Sequence, residues 1–136
     1  NIGAGVAPWN QEQFQYTTDQ SGKVAANGVP IVFYHFHSYK FLNVEAIIPS
    51  IHVDYGTSLE VIKTFAVPYA EKLKKSIALI QSVVNDFSCG LLDQQFELTE
   101  RHSFIASGSI IEELKNIELP HTKVPLSDGW IAYMGT

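Results

Sequence analysis

One cysteine, Cys89, is all the chain has in 136 residues. A single thiol cannot close an internal disulfide, so packing must hold the fold, and a reducing, cytoplasmic setting is expected with Cys89 as a lone buried thiol. Basic residues are scarce as well: nine Lys and Arg stand against fourteen Asp and Glu, for a formal net charge of −5. Nucleic acid calls for a positive surface that neutralises phosphates, so it is not an expected partner. No apolar run approaches the roughly 18 residues of a membrane span, and no span is expected. The chain also lacks a G-x-S-x-G elbow, a phosphate loop, a zinc quartet and any internal repeat, which leaves serine hydrolases, P-loop enzymes, zinc modules and solenoids without support.

What is present is the composition of a folded domain, 46% hydrophobic, 12% aromatic and 17% charged. A chain of this length buries about two-thirds of its unfolded surface, enough for one core without staples, and residues 1–136 read as a single domain. It opens on Asn1 with a glycine-rich apolar stretch and no polar leader, and is expected to be an excised C-terminal piece of a larger protein.

Alternation predicts a half-buried strand over Gln11 to Thr18, with Phe14 and Tyr16 on one face. DQSG at Asp19 to Gly22 reads as a turn. Asn27-Gly28 supplies the positive φ of a type I′ hairpin, after which the apolar run Ile31 to Phe36 is expected to complete an antiparallel meander from Phe14 to His37. Pro30, with no N–H to give, is expected at that strand's first residue. From Leu42 to Gly56 the period is lost, and a loop with a short turn or strand is expected. Thr57 and Glu60 have capping-box spacing and open a helix, or two, reaching about Phe87. Pro68 should kink or restart it. Beyond that proline, Tyr69, Leu73, Ile77, Ile80 and Val84 continue an apolar stripe, while Glu71, Lys72, Lys74 and Lys75 read as a solvated face with Glu71 paired to Lys75. Ser88-Cys89-Gly90 is a helix stop. Short strands are expected at Gln95 to Thr99, Phe104 to Ala106 and Trp130 to Met134, with a helix from Ser109 to about Ile117 ended by Pro120. The expected class is α/β, or α+β as an isolated piece: a strand meander packed on helices.

The chemistry concentrates in GVPIVFYHFHSYKF, Gly28 to Phe41. Side chains of a strand alternate between faces, so His35 and His37 share one face while Tyr34 and Phe36 take the other. Two neutral imidazoles at a strand's end can place nitrogens on one divalent transition metal; equally, both can be hydrogen-bonded structural residues. A cupin-like metal site is a further reading, but cupins carry a carboxylate three or four residues after the pair, and here the next one is Glu45, eight residues past His37. Trp9 and Asn10 suit a saccharide, an indole face against sugar C–H groups and an amide that both donates and accepts; Trp9 as a core anchor is the alternative. His52, His102 and His121 read as ordinary surface histidines.

Gly5-Val6-Ala7-Pro8-Trp9-Asn10, followed by a polar-aromatic strand and then His35-Phe36-His37-Ser38, resembles the late part of bacterial nucleotide-diphospho-sugar transferases of the GT-A fold. There a G-x-N-V-A-x-W-N segment precedes an apolar strand ending in H-F-H-G or H-F-S-G. More distantly it is similar to retaining galactosyltransferases with an H-F-x-G-x-x-K-P-W motif. The likeness runs from Gly5 to about Ser76, through the helix containing YAEKLKK. It implies the C-terminal part of a GT-A sheet and transfer of a sugar from a nucleotide diphosphate to a saccharide acceptor. By it His35 would bind a divalent metal, manganese or magnesium, with His37 as the second imidazole that the HxH spacing offers. Ser38 would stand where a glycine lets backbone approach the diphosphate, Lys40 would neutralise phosphate, and Trp9 and Asn10 would face the acceptor. The D-x-D pair that anchors the metal in such enzymes is absent from this chain, so metal binding here is expected to be weak or absent and the piece inactive alone. A non-catalytic binding or regulatory module is the alternative function. A truncated sheet would also expose an edge near Phe14 or along Ile31 to Phe36, and a homo-oligomer through that edge or the Trp9 region is expected.

Overall fold

The computed structural model describes residues 5–43, 45–88, 99–115 and 120–136. Two antiparallel sheets and one helix of 23 residues make an α+β fold. The first sheet is a meander of β1 (Tyr16–Thr18), β2 (Val24–Ala26) and β3 (Val29–Pro30), in that order. Asn27 and Gly28 join β2 to β3 with φ of 49° and 78°, the left-handed pair a type I′ turn requires, and Ala26 faces Val29 across it. The Asp19 carboxylate accepts from the Ser21 and Lys23 N–H groups and so closes the preceding turn.

Pro30 ends β3 instead of opening a strand, and this corrects the expected strand from Ile31 to Phe36. Past the proline the Ile31 N–H still donates to the Val24 carbonyl at 2.9 Å, and further on the chain makes a parallel bridge between Tyr34 and Val6, with the His35 N–H donating to the Val6 carbonyl at 2.9 Å. The edges of this sheet are β1 and β3.

The second sheet has β4 (Lys40–Asn43), β5 (Ala46–Ile48), β6 (Phe104–Ala106), β7 (Thr122–Pro125) and β8 (Ile131–Met134), ordered β4-β5-β6-β8-β7. The strands expected at Phe104 and after Trp130 are both here. The hairpin β4-β5 lies in the stretch whose period was lost, for a physical reason. Ala46, Ile47 and Ile48 are all buried because both faces of the sheet are covered, so alternation has nothing polar to show. Ile47, Ile105 and Ala132 pack under the long helix, while Ile48, Phe104, Ala106 and Tyr133 face α3 (Ile110–Lys115) through Ile110, Ile111 and Leu114.

The long helix begins as α1 (Leu59–Val61), widens through a π-helical turn (Ile62–Ala66) and continues as α2 (Val67–Gln81). Its cap is Ser58, whose hydroxyl accepts from the Val61 N–H at 3.3 Å; this moves the expected Thr57 cap by one residue, and Glu60 turns instead to the Tyr16 N–H. Pro68 does not end the helix, which runs on to Gln81. The Val67 N–H reaches back five residues to the Ile62 carbonyl, and the wide turn takes in a proline that has no N–H to contribute. Ile62, Ala66, Val67 and Ala70 sit on the five-stranded sheet. Val61 and Phe65 sit on the small one, with Val6 and Ala26.

The helix ends at Gln81, short of Phe87, and the predicted stripe runs out of the fold: Ile80 and Val84 are exposed. Glu71 and Lys74 leave the solvated face assigned to them. Glu71 accepts from the Trp130 indole N–H at 2.6 Å, and the Lys74 ammonium lies over the same ring and donates to the Ser107 hydroxyl at 3.2 Å. Ser109 is not a capping-box partner of Glu112; the Glu45 carboxylate takes the Ser109 N–H and hydroxyl, and Glu112 pairs with Lys115. Cys89, the helix stop at 88–90, the strand expected at 95–99 and the end of the last helix at 116–119 lie wholly or partly outside the described residues. Among the described residues no helix is long and apolar enough to cross a membrane.

Candidate functional site

Trp9 sits in a turn that Asn10 builds. The Asn10 side-chain oxygen accepts from the Ala7 N–H and its amide donates to the Gly5 carbonyl, both at 2.8 Å. Asn10 thus holds the turn from below, and Trp9 stands out of it, 51% exposed.

Opposite lies the segment Tyr34 to Ser38. Apart from the bridge of Tyr34 to Val6 it is not paired as a strand, but it keeps the alternation read from sequence. Tyr34 stacks on Phe65 with ring centroids 4.2 Å apart, and Phe36 stacks on Tyr69 at 3.7 Å. His35 and His37 point the other way and meet Trp9 edge to face, at 5.4 and 5.8 Å. Tyr55 approaches the same indole at 6.3 Å. His52 lies parallel to His37 at 5.5 Å and beside Tyr55 at 5.3 Å. Trp9, His35, His37, His52 and Tyr55 therefore form one aromatic surface.

The sequence pointed to Trp9, His35 and His37 but left His52 as an ordinary surface histidine and Tyr55 unmarked. Both are on the 51–58 loop, where a histidine and a tyrosine three residues apart were the available signal. It also missed Gln11, which ties the loop down. Gln11 is 1% exposed; its amide donates to the Gly56 carbonyl, its side-chain oxygen accepts from the Tyr34 hydroxyl, and its backbone carbonyl accepts from the Tyr16 hydroxyl. Burial pushes both phenols up, Tyr16 to about 12 with help from the Glu12 and Glu60 carboxylates, so both keep the protons these bonds need at neutral pH.

Ser38 closes the segment with φ of 60°, and the Tyr39 N–H reaches back to the Phe36 carbonyl. Glycine adopts that left-handed conformation without cost and serine does not. Lys40 begins edge strand β4, exposed and paired with Ile48. His102 and His121, expected at the surface, are buried. The Thr99 N–H donates to Nδ1 of His102, which fixes the ring proton on Nε2 toward the Ile51 carbonyl, and His121 donates from Nε2 to the His102 carbonyl.

The donor set does not match the implied metal. Magnesium and manganese take oxygen ligands, and this surface offers imidazoles. The His37 and His52 planes are 9° from parallel and stacked, so their in-plane lone pairs do not meet at one ion. Among the described residues no three His, Cys, Asp or Glu are grouped to hold a metal. The arrangement as it stands does not fit that group.

Comparison with protein-family models, with curated proteins and with solved structures finds no match. The surface must be read from its own chemistry. It offers a half-exposed indole flanked by three polar-edged rings, chemistry that suits the C–H side of a sugar with imidazole nitrogens and a phenol near its hydroxyls.

Proposed function

We propose that this chain supplies the saccharide-contacting, acceptor-side surface of a GT-A glycosyltransferase that moves a sugar from a nucleotide diphosphate. The observation that carries the reading is Trp9, half exposed and bordered edge-on by His35, His37 and Tyr55. Two features support it. Asn10 serves the site by fixing the turn under Trp9, and Ser38 takes a left-handed backbone at the place where the resembling family has glycine. The property proposed for this chain by itself is sugar binding.

Indole N–H resonances give the test, because the two tryptophans differ: Trp9 is exposed and Trp130 is 1% exposed. Hexose disaccharides at millimolar concentration should shift the Trp9 signal and leave that of Trp130 in place, and Trp9→Ala should lose binding while the fold is kept. If no disaccharide of the glucose, galactose or mannose series moves the Trp9 signal, the reading fails.

A further inference from the structure

The aromatic surface continues past Tyr55. His52 and Tyr55 also line a cleft of about 190 Å3, whose polar walls include Ser50, Arg101, Ser103 and Thr136. That volume is below the roughly 300 Å3 at which pockets for drug-sized ligands begin, so it admits a substituent or one ring. Its lining is one-sided. Arg101, His52, His102 and several hydroxyl-bearing residues line it, and none of the lining side chains is acidic, in a chain whose net charge is −5. A carboxylate does approach from the rim: Asp54 contacts Arg101 at 3.4 Å, with the two side chains 88% and 58% exposed. An ion pair so open to water is weak, and a better-placed anion displaces it. The Ser103 hydroxyl accepts from the Gly135 N–H at 3.0 Å, which leaves its own proton to donate into the cleft.

We propose that this cleft receives the anionic substituent, a carboxylate or a phosphate ester, of the saccharide whose ring face meets Trp9. The inference rests on the proposed saccharide contact. Tyr55 links the two parts, because it lines the cleft and its ring stands 6.3 Å from the indole. Arg101 is the specificity residue: its planar fork matches either anion in two parallel hydrogen bonds, and the neighbouring hydroxyls and the His52 ring supply the remaining donors. Asp54 holds the fork until the ligand arrives.

The test uses the whole chain and three probes built on one hexose disaccharide: the neutral sugar, its 6-carboxylate and its 6-phosphate. By titration calorimetry at low salt, at least one acidic form should bind on the order of tenfold more tightly than the neutral one, and the better form identifies the source of the anion. Arg101→Gln should bring the acidic forms down to the affinity of the neutral one, while Arg101→Lys should keep part of the advantage. Asp54→Asn, which frees the fork, should raise acid affinity severalfold. Arg101 is exposed, so these variants should fold, and circular dichroism checks that they do. Equal binding of the neutral and acidic forms, or an acid preference that survives Arg101→Gln, overturns the cleft assignment and leaves the Trp9 reading intact. Arg101-dependent binding of the acidic form that Trp9→Ala does not weaken keeps the anion cleft and overturns the saccharide contact. Absence of binding by all three probes overturns both.

Discussion

Phe36 lies flat on Tyr69, with ring centroids 3.7 Å apart and planes 17° from parallel. Between two outward histidines, this is the ring that fastens the segment to α2. Phe36→Ala should cost about 2–3 kcal/mol in urea unfolding, with Phe36→Leu in between, and should disturb the Trp9 indole resonance as His35 and His37 lose their seat. A loss under about 0.5 kcal/mol would show that the segment is anchored elsewhere.

Ser38 holds φ at 60° without glycine's freedom. Relief of the left-handed penalty outweighs the extra unfolded-state entropy, so Ser38→Gly should stabilise the chain by about 0.5–1 kcal/mol. Ser38→Val should destabilise by more than that, since a β-branched residue fits this region worst. Thermal unfolding of both variants checks the order.

The Trp130 indole donates to Glu71 across the helix–sheet boundary at 2.6 Å. Glu71→Ala removes the acceptor from a ring that is almost wholly buried and should cost about 1–3 kcal/mol, whereas Glu71→Gln keeps a carbonyl in reach and should cost less. Chemical denaturation followed by the emission of Trp130 in a Trp9→Phe background reads both.

Stability should fall at both ends of the pH scale, through different groups. The hydrogen bond from Ser109, then the Ile110 N–H and the Lys74 charge, hold Glu45 below its ordinary 4.5. A depressed carboxylate contributes above its unfolded value, so the contribution fades as pH drops below 4.5. Tyr16 works in the opposite direction: raised from 10.0 to about 12, it contributes fully below 10 and loses that contribution as pH rises to 12. Urea midpoints against pH should show the acid limb shrink in Glu45→Gln and the alkaline limb shrink in Tyr16→Phe.

The sequence disclosed those features whose cause is local. The Asn27-Gly28 turn, the strands at Phe104 and after Trp130, the helix start near Ser58 and the split of Tyr34 and Phe36 from His35 and His37 all follow from short-range pattern. The features it concealed are set by distant chain. β5 shows no alternation because α3 and the long helix cover its two faces. Gln11 looks like one more polar residue until Gly56 and Tyr34 close around it, and His52 becomes part of the surface only because those same bonds bring its loop under Trp9. Periodicity also placed Glu71 and Lys74 in solvent, since nothing near them in sequence announces the Trp130 ring.

The wide turn at Ile62–Ala66 amounts to one residue inserted into an otherwise regular helix. Every residue of an α-helix turns the next by about 100°, so an insertion rotates all that follows by that angle relative to all that precedes. Upstream of it, Val61 addresses the small sheet. Downstream, Tyr69 meets Phe36 while Glu71 and Lys74 meet Trp130 on the large one. Deleting a single residue from this turn would restore ideal helix geometry and yet swing Tyr69, Glu71 and Lys74 away from their partners together. The irregularity works as a phase adjuster, letting a single rod keep in register with two sheets that a uniform helix could not satisfy at once.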